Sequence, residues 1–123
     1  ISGQNGKKVF EIIAEYCVKW NSSNNLGLVV GATYPGELAS IRKIAPEIPI
    51  LVPGVGTQSG DLEASLKSGL AVETHGLLIS SSRGIIYASD QVSDYGIQAA
   101  RASSELREKI NTILRDINRS LAG

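Results

Sequence analysis

The 123-residue sequence has no methionine, one cysteine, one histidine and no surplus of charge of either sign. A single Cys17 cannot close an internal disulfide. Set between Tyr16 and Val18 in a helical pattern, it reads as a small buried thiol and not as a reactive one. With only His75, no Cys/His cluster and no acidic residues at ligand spacing, no metal site is legible, and no cofactor is expected. Twelve Lys and Arg balance twelve Asp and Glu, so no global field favours nucleic acid or an anionic membrane, although a small anion stays open as a ligand. Apolar runs such as "LGLVVGA" are strand-length, far short of the roughly 18 to 20 residues that span a bilayer. The first residues carry no signal-peptide pattern, and the reading expects a soluble, cytoplasmic protein. The opening "ISGQNGKK", in a sequence without Met, does not look like a natural initiation site, so an upstream portion is expected.

What is present alternates between two periodicities. Residues 6 to 20 place Val9, Ile12 or Ile13, Tyr16 and Trp20 at helical spacing, with Lys7, Lys8, Glu11, Glu15 and Lys19 opposite. "NSSNN" breaks that helix, and residues 26 to 32 are apolar without alternation, as in a strand buried on both faces of a parallel sheet. A second helix follows from Pro35, with Glu37 in its first turn and Leu38, Ile41 and Ile44 or Ala45 on one side, and stops before Pro46. "IPILVPG" is the second strand, "SGDLEASLKSGL" the third helix and residues 76 to 82 the third strand. The short segment "RGIIYAS" leads to a last helix over about 94 to 120, with Leu106, Ile110, Ile113, Leu114, Ile117 and Leu121 inward.

A helix followed by three strand–helix units gives, by the right-handed crossover rule, an α/β fold with a parallel sheet. Two architectures fit. One is a three-stranded open sheet; the other, which we favour, is the closing part of a (β/α)8 barrel from a chain about twice as long. Residues 1–123 would then be the C-terminal half of one barrel domain, with two open parallel edges and an uncovered apolar inner face.

In either case ligands gather at the carboxyl ends of the strands. The loops there are "GATYP", "PGVGTQSGD" and "SSSRG". Gly54, Gly56 and Gly60 free the middle loop to expose backbone amides near a ligand. In the third loop Ser82 and Arg83 run into a helical turn, where free N–H groups favour an anion. Arg83 would offer a bidentate fork, Gln58 a neutral donor, and the amides of Ser82 and Arg83 a cradle for phosphate. The competing reading is ordinary turn geometry for the glycines and a surface ion pair for Arg83. His75 falls at the amino end of the third strand, Asp61 reads as a helix-start residue, Tyr34 either lines the pocket mouth or packs, and Trp20 belongs to the first helix face.

Carrying "LVVGATYPGEL", "ILVPGVGTQSGDL" and "GLLISSSRGIIYA" in this order and spacing, the sequence resembles the C-terminal half of orotidine 5'-phosphate decarboxylase over nearly all of residues 6 to 120. The resemblance implies a (β/α)8 barrel, a homodimer and a cofactor-free conversion of orotidine 5'-phosphate to UMP and CO2 in pyrimidine biosynthesis. It also implies a phosphate-gripping lid in Pro53, Gly54, Val55, Gly56 and Thr57, with Pro53 and Val55 toward the base and ribose. Gln58 and Arg83 become the phosphate contacts, assisted by the Ser82 amide; the partner is a small nucleotide, with neither nucleic acid nor membrane involved.

The sequence departs from the family in one respect. The family's catalytic Lys and Asp array is centred on an Asp-x-Lys-x-x-Asp motif, and that motif does not occur here. The resemblance therefore implies a half that binds phosphate and closes the lid, inactive unless joined by the other. The alternatives are a free-standing phosphate-binding module and part of another barrel enzyme acting on a phosphorylated sugar.

Overall fold

A computed structural model describes residues 6–55, 59–71 and 76–122, the side chains of 59–61 excepted. Its elements run α1 (Val9–Trp20), β1 (Leu28–Val29), α2 (Pro35–Ile44), β2 (Ile50–Pro53), α3 (Ser59–Gly69), β3 (Leu77–Ser80), α4 (Arg83–Ile86) and α5 (Tyr95–Ala122). The three strands form one parallel sheet in the order β1-β2-β3. The expected succession of strand and helix is therefore present, with β1 shorter than residues 26 to 32 and flanked by bonds from Leu28 N to Pro49 O and from Val30 N to Leu51 O, each 2.9 Å.

Burial alternates along the strands. Ile50 and Val52 are 0% exposed and pack with Leu38, Ile41, Leu62 and Leu66 from α2 and α3. Each such side chain stabilises the fold by about 1.5–3 kcal/mol relative to an exposed position. Val29, Leu51 and Leu78, aligned across the sheet by the register, are 70%, 37% and 56% exposed. The expectation of burial on both faces, made for residues 26 to 32, thus fails at Val29, because the core formed with α2 and α3 lies on the other face. The uncovered apolar face expected of a barrel piece is this row.

Pro35 opens α2 where its missing N–H costs nothing, Glu37 stands in the first turn, and the helix ends at Ile44 ahead of Pro46. Leu38, Ile41 and Ala45 are buried as their spacing predicts. In α1 the expected face is wrong: Ala14 is buried and Phe10 packs on the core, while Val9, Ile13, Tyr16 and Trp20 are exposed. Tyr16 and Trp20 stack on one another with centroids 5.4 Å apart, on the outer side. Cys17 is half-buried. α5 lays Leu106, Ile110, Ile113 and Ile117 on the core, but Leu121, expected inward, is 72% exposed in the last turn. No described helix is long and apolar enough to cross a membrane.

Candidate functional site

In the parallel register Pro53 pairs with Ser80, so the segments leaving β2 and β3 start side by side at the carboxyl edge of the sheet. Pro53 is half-buried and Gly54 follows at φ +74°, a left-handed conformation open to glycine with no steric cost. The chain then turns inward, and Val55 is 2% exposed in the hydrophobic core. Its side chain has no free face; only its backbone is available to a ligand. Gly56, Thr57 and Gln58 lie outside the described residues, as does His75. Asp61 falls in the first turn of α3, as expected of a helix-start residue.

On the β3 side, Ser82 precedes α4 and its carbonyl accepts from the amides of Ile85 at 3.2 Å and Ile86 at 2.8 Å. Arg83 is the first residue of α4, is exposed, and has no ion pair among the described residues. The surface-pair reading of Arg83 therefore finds no support there. Gly84 makes this turn tight, since a Cβ at that position would stand 2.9 Å from Ser81 Oγ. Tyr34, before α2 at the same end of the sheet, is 66% exposed.

The described parts of the three loops hold one arginine, one acidic residue in Asp61 at the start of α3, hydroxyl groups and backbone amides, without a lysine. Such a set can bind an anion by charge-assisted hydrogen bonds from Arg83 and the backbone amides. The larger clefts lie elsewhere, between α3 and α5 beside Ile113 and Ile117.

Two features escaped the sequence reading. Arg42 is buried at the amino end of the sheet, where it donates to five backbone carbonyls. Burial pushes its pKa down, an effect partly countered by the charge of Glu47. The signal was its place in the Leu38, Ile41, Arg42, Ala45 stripe, a core position filled by a charge. The second is a hydrogen-bonded corner at Asp94, for which the run "SDQVSD" was the only sign.

No family model matches the chain. Among curated relatives, orotidine 5'-phosphate decarboxylase of Cupriavidus metallidurans is 42% identical over 107 residues, 86% of this chain and 39% of its own length. That of Azoarcus sp. is 45% identical over the same shares. Among solved structures, Leishmania donovani OMP decarboxylase superposes with TM-score 0.73 at 38% identity, over 92% of this chain and 40% of its own. Leishmania donovani UMP synthase, also at TM-score 0.73, is 40% identical over 92% of this chain and 26% of its own. The chain thus spans about 39% of the curated relatives it matches. It is related over most of its length to orotidine 5'-phosphate decarboxylases, and its three βα units have the fold of a part of their (β/α)8 barrel.

Proposed function

We propose that this chain is the phosphate-binding and lid-bearing part of an orotidine 5'-phosphate decarboxylase, the enzyme that converts orotidine 5'-phosphate to UMP and CO2. The observation that carries the reading is the Pro53–Ser80 pairing, which starts the Gln58 and Arg83 segments from adjacent strands, with Arg83 exposed. On this reading Arg83 holds two phosphate oxygens, Gln58 a third, and the Ser82 amide assists. The segment Pro53–Thr57 is the lid, and the Pro53–Val55 backbone faces base and ribose. Residues 1–123 are the C-terminal half of the domain, and the assembled enzyme is a cytoplasmic homodimer.

Catalysis divides accordingly. Phosphate is not a reacting group, so interactions made here with it close the lid and orient the pyrimidine. Loss of CO2 leaves an electron pair at C6 that takes up a proton from a group outside this chain. Charge-assisted bonds of roughly 1.5 to 3 kcal/mol each make three such contacts worth several powers of ten in affinity.

A chimera tests this. The 107 matched residues of the Azoarcus enzyme are replaced by those of this chain, and UMP production is measured. Decarboxylation that is lost on Arg83→Ala and regained at high substrate is the expected result. A folded chimera that binds neither orotidine 5'-phosphate nor UMP would sink the reading.

A further inference from the structure

Arg83 can grip a phosphate only if α4 is held in place, and burial does little to hold it. α4 has four residues, none buried; Ile86 and the following Tyr87 are 61% and 75% exposed. Between α4 and α5 lies a cleft of about 170 Å³ lined by Ser81, Gly84, Ile85, Ala102 and Leu106, so packing leaves the short helix room to shift. Hydrogen bonds supply the missing restraint. Tyr87 N donates to Arg83 O and Ala88 N to Ile85 O, each at 3.3 Å, carrying the hydrogen-bonded turn as far as Ala88, next to Ser89.

At Ser89 the chain is tied back to α5. Ser89 Oγ donates to Asp94 Oδ1 at 2.6 Å and accepts from Gln91 N at 3.1 Å. The other carboxylate oxygen of Asp94 accepts from Gln98 Nε2 at 3.2 Å, one turn into α5. Main-chain bonds from Asp94 N and Tyr95 N to Gln91 O, and from Gln98 N to Asp94 O, close the corner. Asp94 is half-buried there, so its bonds are less screened than those of a surface pair.

We propose that Asp94 is a positioning residue for Arg83: its carboxylate clamps Ser89 to the start of α5 and so fixes the guanidinium at the phosphate site. The inference rests on the phosphate reading of Arg83. Asp94 touches no substrate; it acts through the α4 turn.

The test is calorimetric titration of the full-length protein with UMP and with uridine, for Arg83→Ala, Asp94→Ala and their double variant. Asp94→Ala is expected to weaken UMP roughly tenfold and leave uridine unchanged, as misplacement of a binding group does. In the Arg83→Ala background the same change is expected to have almost no effect, because both act through one guanidinium. Asp94→Asn, which keeps one acceptor, and Ser89→Ala are expected to fall between, and they carry the test if Asp94→Ala does not fold. Should Asp94→Ala weaken both ligands equally, or its effect add in full to that of Arg83→Ala, the inference is overturned while the phosphate reading stands. If Arg83→Ala itself fails to separate UMP from uridine, the phosphate reading falls and the role of Asp94 with it.

Discussion

Arg42 Nη2 donates to the carbonyl of Gly76 at 2.9 Å, and Gly76 holds that carbonyl in place with φ at +83°. The same guanidinium reaches Gly69 O from Nε at 2.6 Å and Ile48 O from Nη1 at 2.8 Å, with Ala45 O and Pro46 O at 3.0 and 3.1 Å. One side chain therefore ties the ends of α2 and α3 to the starts of β2 and β3. Removing it leaves several carbonyls short of a donor in a place water reaches poorly. Arg42→Met is expected to cost at least about 3 kcal/mol, at roughly 1 to 3 kcal/mol per orphaned buried group. Arg42→Lys should recover little, since an ammonium cannot copy a planar fork with donors on both edges. Urea unfolding midpoints decide this; a loss under 1 kcal/mol for Arg42→Met would show that the network is not holding the sheet.

Gly76 and Gly54 allow a controlled comparison. Both have positive φ, but a Cβ at Gly76 would meet Arg42 Nη2 at 3.3 Å, whereas one at Gly54 meets nothing within 4 Å among the described residues. Gly54→Ala should cost only the left-handed strain, about 1 to 2 kcal/mol. Gly76→Ala should cost more, by displacing the guanidinium. Equal losses in thermal unfolding would mean that Arg42 yields freely.

Ser65 is 0% exposed in α3, and its hydroxyl has no hydrogen-bond partner among the described residues. Ser65→Ala removes a desolvated polar group at little cost in volume. A gain of about 1 kcal/mol in stability is expected; a loss would show that the hydroxyl finds a backbone acceptor.

The exposed row Val29, Leu51 and Leu78 is the wrong surface for a free-standing sheet, since soluble proteins rarely leave a contiguous apolar face uncovered. Val29→Thr with Leu78→Thr should reduce self-association of the isolated 123-residue chain and its binding of an apolar dye. Unchanged light scattering and dye binding would indicate that the row is covered.

Which parts were legible follows from what each pattern encodes. The Leu38, Ile41, Ala45 stripe and the strand cores around Ile50 and Val52 were readable because one partner layer suffices to bury them. The α1 face was misread because that helix has apolar residues nearly all round, and spacing alone cannot choose Phe10 and Ala14 over Ile13, Tyr16 and Trp20. Val29 read as buried for a similar reason: an apolar residue records a tendency to be covered, not what covers it. At the candidate site, the place of Arg83 directly after a strand was legible. The bonds of Asp94 to Ser89 and Gln98 were not, because no periodicity announces them.

The phosphate assignment makes the most direct prediction. Arg83→Ala and Gln58→Ala in the full-length protein should each weaken UMP, by about 10- to 100-fold for the arginine, given roughly 1.5 to 3 kcal/mol for a charge-assisted bond. Uridine has no phosphate, so its affinity should be unchanged. Arg83→Lys separates charge from geometry: it keeps the cation but loses the fork, and should recover part of the UMP affinity. Raising salt should weaken UMP binding in the parent protein more than in Arg83→Ala, because exposed charges are screened over about 10 Å at 0.1 M. Equal losses for UMP and uridine would instead assign Arg83 to the shape of the α4 turn, and the phosphate would have to be held by other groups.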